Sequence, residues 1–469
     1  MLQCKEEMIT MSINFKEEVF KRKDQLIADL TKIIKINSEL TTFDPNRKHA
    51  PFGLGIKEAL DTMLAIGQRD GFEVVNLDGY AGHIEYGNQK EFVGTIGHLD
   101  VVPAGNDWTY APYGAEIHDG NMYGRGTEDD KGPTIAAYYA LKILKELNVP
   151  LSKRIKLILG TDEETAWRGV RHYFSVYPEA PVSGFIPDAD FPLIYAEKGI
   201  SRILVTGKLE SDVLIAVDGG FRDNMVPDYA SAKLNPTKDF VALFTKFLKE
   251  KKYEGSTSIE DNLVVIRVVG KSAHGSTPAF GENAIDRLFE FLIGQGIKSP
   301  VVKLVEKFLI HDIHGTKLDV AYHDEEMGYL TNNFGVIKSE NGQYTISLNL
   351  RYPNGVVFDE VVAKLTKQFA QFNATVKVDS HQKLLYKDPN SPLVKTLMDV
   401  YKKNTNDINA KPINIGGGTF ARAMPNCVAF GPHFLDKPTF IHQKNEFINI
   451  EDLLLATVIY TEALYELAK

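Results

Sequence analysis

The feature that most constrains this chain is where its acidic residues and histidines fall relative to its apolar runs. Runs that read as buried strands occur at 91–97 (EFVGTIG), 154–160 (RIKLILG) and 182–187 (VSGFIP). Each is followed at once by side chains able to hold a metal: His98 and Asp100 in G-H-L-D, Glu163 and Glu164 in G-T-D-E-E-T, and Asp188 in P-D-A-D. Between the first two runs, Asp129 and Asp130 stand just ahead of a stretch of good helix formers at 134–147 (TIAAYYALKILKEL). Strands alternating with helices predict an α/β sheet. In such sheets functional groups collect beyond the carboxyl ends of the strands.

Taken singly, each position has an ordinary explanation. A histidine after a strand packs into a core. An Asp-Asp pair before a helix caps it and meets its dipole. A Glu-Glu pair belongs to a solvated loop. Their coincidence at successive strand ends and one helix start points instead to a cation, because clustered like charges in a buried place require one. Imidazole among the ligands favours zinc, manganese or cobalt over calcium. A pair of ions needs a bridging carboxylate and about three protein ligands each, which calls for a second histidine. Of the 12 histidines, His442 in F-I-H-Q-K-N-E-F, just ahead of the last predicted helix, is the leading candidate. Spacing alone does not separate it from His433 or His274.

Composition removes other classes. Lys and Arg total 53 against 62 Asp and Glu, a formal net charge of -9. General nucleic-acid affinity needs a basic face, and a polybasic membrane anchor needs the same. Only Cys4 and Cys427 occur, so neither a disulfide framework nor a thiolate zinc site is available. No apolar run approaches the roughly 18 residues of a membrane span. The opening MLQCKEEMITMSINFKEEV carries no apolar signal core, and a cytoplasmic location is expected. Met8 and Met11 are alternative starts to Met1.

Helical spacing of apolar residues predicts helices over 12–40 and 54–70. From about 198 the texture changes, with strand-like runs at 200–206, 213–217, 262–269 and 344–350 and helix-like runs at 237–251, 283–293 and 358–372. Beyond Asp388 long helices return with one strand. The chain ends in a helix near 450–468, for which Asn449 is a suitable cap and Glu451 and Asp452 suit the first turn. The expected layout is a catalytic domain in two halves, 1–197 and 384–469, interrupted by an inserted domain at 198–383.

The motifs G-H-L-D-V-V-P-A-G, Y-G-R-G-T-E-D-D-K-G-P, G-T-D-E-E-T, P-D-A-D-F-P, K-S-A-H-G, N-L-R-Y-P, I-G-G-G-T-F-A-R and H-Q-K-N-E-F occur in this order along the chain. Together they resemble the dinuclear metallopeptidases that include carboxypeptidase G, carnosinase and aminoacylase, and within them the PepV-type dipeptidases. The resemblance runs from about residue 13 to the C-terminus. It implies an α/β fold: a phosphorylase/hydrolase-like catalytic domain with a mixed sheet, interrupted by a large inserted α/β lid. It implies two divalent ions per chain, zinc first, with manganese or cobalt as alternatives.

By the same resemblance His98 and Asp188 hold one ion, Glu164 and His442 the other, and Asp130 bridges them. Glu163 is the general base and acid, and Asp100 fixes the imidazole of His98. The Asp129–Asp130 bond is expected to be cis. His274 polarises the scissile carbonyl, Arg351 pairs with a free substrate carboxylate, Asn224 hydrogen-bonds nearby, and the backbone of Gly416, Gly417 and Gly418 approaches the substrate. The implied activity is hydrolysis of dipeptides, with no nucleic-acid or membrane partner. The enlarged insert suits a monomer, a dimer being the alternative. The competing activity is an N-acyl amino acid deacylase such as a succinyl-diaminopimelate desuccinylase, which would use the same ligands. A non-catalytic binder on this fold would have lost Glu163 or a ligand, and none is lost.

Overall fold

The structure is a computed structural model and describes residues 13–469. Cys4 and the alternative starts Met8 and Met11 lie outside the described residues. The chain divides into two compact units. The first comprises the described residues up to Tyr195, Lys387–Ile413 and Thr419–Lys469; the second comprises Ala196–Tyr386 and Asn414–Gly418. The short return at Asn414–Gly418 places the glycine stretch of I-G-G-G in the second unit, where a single cut near 383 had put it in the catalytic half. Its attachment is local: Lys198 N–H donates to Ile415 O at 3.1 Å, and Arg351 Nη1 donates to Gly416 O at 2.6 Å.

The first unit is built on a mixed sheet. Its strands run in the order Glu73–Leu77, Ala81–Tyr86, Arg154–Gly160, Phe92–His98, Ser183–Ile186, Cys427–Ala429 and Ile194–Glu197. The four central strands, from Arg154–Gly160 to Cys427–Ala429, are parallel, and the flanking pairings are antiparallel. Phe92–His98 is buried at every position, as expected of a strand covered on both faces, whose sequence is a continuous apolar run. In register, His98 stands opposite Gly160 and Ala429 opposite Ile186. The carboxyl ends of the parallel strands therefore share one edge.

The helix Lys131–Glu146 is buried throughout from Lys131 to Leu144, so its sequence is largely apolar, and its buried Lys131 and Lys142 are satisfied by Ile36 O and Asp70. It approaches the strand Phe92–His98 closely at Gly97, where a Cβ would lie 2.1 Å from Thr134 Oγ1 and 2.7 Å from Asp130 Oδ2. The last helix, Ile450–Ala468, is capped by Asn449 Oδ1, which accepts from the N–H groups of Glu451 and Asp452. At the start of the described chain, packed against that last helix through Phe15 and Tyr465, the helix expected over 12–40 is two helices, Phe15–Lys21 and Lys23–Ile34. The break is at Arg22, at φ -107° and ψ 7°, and its guanidinium is tied to Glu18 and Glu146.

The second unit is an eight-stranded, fully antiparallel sheet. Its order is Gly255–Glu260, Leu263–Val269, Tyr229–Leu234, Leu214–Gly219, Thr331–Glu340, Gln343–Tyr352, Gly199–Lys208 and Thr375–Gln382. The helices Phe240–Lys251, Ala284–Gly294, Pro300–Phe308 and Phe358–Ala370 contribute to a shared core cluster, which holds Phe244, Phe289, Phe308 and Phe369 together with Ile266, Ile346 and Leu348 of the sheet. Among the described residues no helix is long and apolar enough to cross a membrane.

Candidate metal centre

The shared edge of the parallel strands gathers the predicted ligands of the first unit. His98 is the last residue of its strand, Glu163 and Glu164 follow Gly160, and Asp188 follows Ile186. His442 comes from the loop ahead of the last helix, at φ 60°. His98 Nε2 lies 3.0 Å from Asp129 Oδ1 and 3.7 Å from Asp188 Oδ2. His442 Nε2 lies 3.0 Å from Asp129 Oδ2 and 3.0 Å from Glu164 Oε1. One Asp129 carboxylate thus stands between the two imidazoles with one oxygen turned to each. Two groups, His98 with Asp129 and Glu164, and His98 with Glu163 and Asp188, each bring their ligand atoms within 4.8 Å of one another.

This geometry corrects one expectation. The carboxylate between the histidines belongs to Asp129, where Asp130 was expected. The Asp129–Asp130 bond is cis, and the Asp130 side chain is directed into the fold. Its Oδ2 accepts from the N–H of His98 at 2.9 Å and from the Thr134 hydroxyl at 3.0 Å. Asp130 is fully buried and begins the helix Lys131–Glu146. It pins that helix to the strand that carries His98.

Asp100 does more than was expected of it. Its backbone carbonyl lies 3.0 Å from His98 Nδ1, and its carboxylate lies 3.6 Å from the same nitrogen. The two carboxylate oxygens also accept the N–H groups of Glu163 and Glu164, each at 3.1 Å. Asp100 therefore fixes the tautomer of one candidate ligand, His98, and the turn bearing the candidate base. Two further residues were not singled out from the sequence. Trp167 Nε1 donates to Glu163 Oε1 at 3.2 Å. Glu446, fully buried, accepts from the backbone of the turn that carries Asp129. Trp167 stands four residues after Glu163, a spacing that could have marked it; Glu446 had only its place four residues after His442.

Crowding of these carboxylates and imidazoles shifts the protonation of each. Burial raises the Glu163 carboxyl well above its ordinary range, and Asp188 and Glu164 add to the effect. Burial and then Asp129 push Asp188 up to about 7. Burial opposes ionisation of Asp129, but the imidazoles of His442 and His98 outweigh it and hold that carboxyl well below the usual range. Asp129 and Glu164 push His442 up to about 10. Burial lowers His98, yet the Asp100, Asp129 and Asp188 carboxylates hold it well above its ordinary value. A bound divalent ion inverts this logic, favouring ionised carboxylates and neutral imidazoles. Two imidazoles with Asp129, Glu164 and Asp188 form a nitrogen–oxygen donor set that fits a pair of borderline divalent ions.

The remaining predicted residues belong to the second unit. Arg351 is buried; its Nε donates to Asn349 Oδ1 at 2.9 Å and its Nη1 to Gly416 O at 2.6 Å. Asn349 Nδ2 in turn donates to Asp223 Oδ2 at 3.0 Å. Directly across the ladder, Asn333 Nδ2 donates to Asp223 O at 2.7 Å and to Met225 O at 2.8 Å, holding both flanks of Asn224. Met225 bridges to His274, and Gly275 N–H donates to Asn224 O at 2.7 Å. His274 Nδ1 meets the Ser276 hydroxyl. Burial and the nearby Arg351 charge hold the His274 imidazole below its ordinary value. Arg351, Asn224, His274 and Gly416 are therefore assembled on one hydrogen-bonded frame; Gly417 and Gly418 continue from it.

Residues 94–466 match the family described as Peptidase family M20/M25/M40, and the chain belongs to that family. A Bacillus subtilis (strain 168) protein named as a proposed dipeptidase, YtjP, is 41% identical over 472 residues, covering 97% of this chain and 100% of that one. A Staphylococcus epidermidis (strain ATCC 12228 / FDA PCI 1200) protein with a similar name is 39% identical over 470 residues, covering 97% and 99%. Among solved structures, human carnosine dipeptidase 1 superposes with a TM-score of 0.55 at 16% identity, covering 97% of this chain and 98% of that one. Aminoacylhistidine dipeptidase from Vibrio alginolyticus gives 0.58 at 16% identity, covering 95% and 96%. At these identities the structural likeness speaks for the fold alone.

Proposed function

We propose that this chain is a metal-dependent dipeptidase that hydrolyses dipeptides bearing a free C-terminal carboxylate. The observation that carries the reading is the Asp129 carboxylate, with one oxygen 3.0 Å from each of two imidazoles and further carboxylates beside it. Full-length relatives named as dipeptidases support the substrate class. His98, Asp129 and Asp188 would hold one ion, and Asp129, Glu164 and His442 the other. The ions would supply Lewis-acid activation of a water and of the scissile carbonyl; zinc is the first candidate, with manganese or cobalt as alternatives.

The chain's own groups do the rest. Glu163 takes the proton of the attacking water and returns it to the leaving amine. Trp167 orients that carboxylate through Nε1–H, and Asp100 holds the backbone beneath it. In the second unit, Arg351 is assigned to the substrate carboxylate, for which a guanidinium is suited. Asn224 and the Gly416–Gly418 backbone are assigned to the same end, and His274 to the scissile carbonyl. The inserted domain, expected at 198–383, is assigned as a lid that restricts the site to short substrates. We further propose a monomer and a cytoplasmic location, in keeping with the enlarged insert and the scarcity of cysteine.

The test compares a dipeptide, its carboxyl-amidated form and N-succinyl and N-acetyl amino acids, with metal-free protein and with added Zn²⁺, Mn²⁺ or Co²⁺. The expected result is metal-restored cleavage of the free dipeptide and little of the others. Full activity in metal-free protein overturns the metal assignment. Preferential cleavage of the acylated amino acids overturns the dipeptidase assignment in favour of a deacylase.

A further inference from the structure

Glu446 is fully buried, four residues beyond the candidate ligand His442, and has no place in the chemistry above. Its Oε1 accepts from the N–H of Gly126 at 2.9 Å, of Glu128 at 3.0 Å and of Asp129 at 3.3 Å. Its Oε2 pairs with the buried guanidinium of Arg125. Its backbone carbonyl accepts from Gly124 N–H at 2.9 Å, and the next residue, Phe447, pairs with Tyr123. Three N–H groups converging on one oxygen form an anion-binding nest, filled here by a carboxylate of the same chain.

The consequence lies in which ligands this contact joins. His98 closes a sheet strand and Asp188 follows another, so both are set by the sheet. His442 instead sits on a loop with its side chain half exposed, and Asp129 sits on the turn that Glu446 gathers. We propose that Glu446 is a positioning residue that sets the distance between Asp129 and His442. Its loss then weakens the ion assigned to Asp129, Glu164 and His442 more than the ion assigned to His98, Asp129 and Asp188. This rests on the two-ion reading above.

Glutamine at 446 is the informative change because of its donors. Both oxygens of Glu446 act only as acceptors. An amide offers one acceptor and one NH₂ group, so Glu446→Gln turns donors towards either the three N–H groups or Arg125. Partners of this kind, outside the direct ligands, typically alter metal affinity by about 10- to 100-fold.

The experiment is equilibrium dialysis of metal-free protein against graded Zn²⁺ or Mn²⁺ with elemental analysis, alongside steady-state kinetics. Wild type is expected to bind two ions. E446Q is expected to bind the ion assigned to Asp129, Glu164 and His442 at least about tenfold more weakly, and the ion assigned to His98, Asp129 and Asp188 more weakly by a clearly smaller factor, because Asp129 is shared by both. Its kcat falls while KM for the dipeptide stays within threefold, because Arg351 is untouched. Glu446→Asp keeps the charge facing Arg125 with one carbon less of reach; it is expected to show the same selective weakening in smaller measure, and it serves should E446Q fail to fold. Two wild-type affinities in either variant, or equal weakening of both ions, overturns the positioning role. A wild-type protein that binds fewer than two ions overturns the two-ion reading itself.

Discussion

The N–H of Trp167 gives the most direct access to the candidate base. Trp167→Phe deletes that donor and keeps an aromatic ring beside Phe420, whose centroid lies 5.3 Å from that of Trp167. A hydrogen bond to an ionised group is worth about 1.5–3 kcal/mol. The contact is 3.2 Å, at the long end of the N–H···O range, so the lower figure applies, about 1.5 kcal/mol. That corresponds to about one pKa unit and about tenfold in rate. The donor stabilises the charged carboxylate, so deleting it raises the Glu163 pKa, in the same direction as burial and the carboxylates of Asp188 and Glu164 already push it. Glu163 then stays protonated to a higher pH. In metal-loaded protein, kcat for dipeptide hydrolysis measured from pH 5 to 9 should show its acid limb displaced upward by about one unit. Below the wild-type limb the rate should fall about tenfold, with KM unchanged. An acid limb that stays in place or moves down refutes the assignment of Trp167 and, with it, the ionised Glu163 as the group being titrated.

Arg351→Ala should raise KM for a dipeptide by about 10- to 100-fold, the effect of losing a hydrogen bond to a charged group, and leave a carboxyl-amidated dipeptide unaffected; equal losses on both count against the clamp. Asp129→Asn should abolish tight binding of both ions in dialysis, whereas Asp130→Asn should lower the thermal midpoint while retaining metal, and the reverse pattern would return the bridge to Asp130. The last prediction concerns acid stability. Burial opposes ionisation of Asp70, but Arg69, Lys142 and Tyr138 hydrogen-bond its carboxylate and hold its pKa well below the ordinary value. A depressed folded-state pKa contributes stability above the unfolded value, about 3.9, and that contribution disappears as pH falls through the folded value. Urea midpoints of Asp70→Asn should therefore lie below wild type at pH 7 and converge with it towards about pH 2; a constant gap would show that the effect is not electrostatic.

The sequence showed the fold wherever burial is uniform. Phe92–His98 and Arg154–Gly160 are continuous apolar runs because parallel strands are covered on both faces, and their ends located His98, Glu163 and Glu164. Asp129 and Asp130 mark the limit of that approach. They are adjacent and chemically identical, so spacing cannot tell which carboxylate faces the histidines; the local backbone path decides. The strand Thr331–Glu340 was hidden because it opens with Asn332 and Asn333, polar residues that are buried and hydrogen-bonded to backbone carbonyls. Thr375–Gln382, an edge strand largely open to solvent, alternates only at Val376 and Val378 before running into Asp379, Ser380, His381 and Gln382, too short a pattern to read as a strand. Glu446 offered only its spacing from His442, and its role stayed hidden because its partner Arg125 is 321 residues away in sequence.

The position of Cys427–Ala429 in the sheet has a consequence for biosynthesis. This strand lies between Ser183–Ile186 and Ile194–Glu197, although it is made more than two hundred residues later. While the ribosome is still adding the intervening chain, Ser183–Ile186 remains an open edge, the kind of surface that invites wrong pairing. The same late stretch delivers His442 and Glu446. A nascent chain therefore has a partly built sheet but not yet the complete set of proposed ligands. On the proposed assignment, the ion held by Asp129, Glu164 and His442, and with it any capacity to cut peptides near the ribosome, must wait until almost the whole polypeptide has emerged.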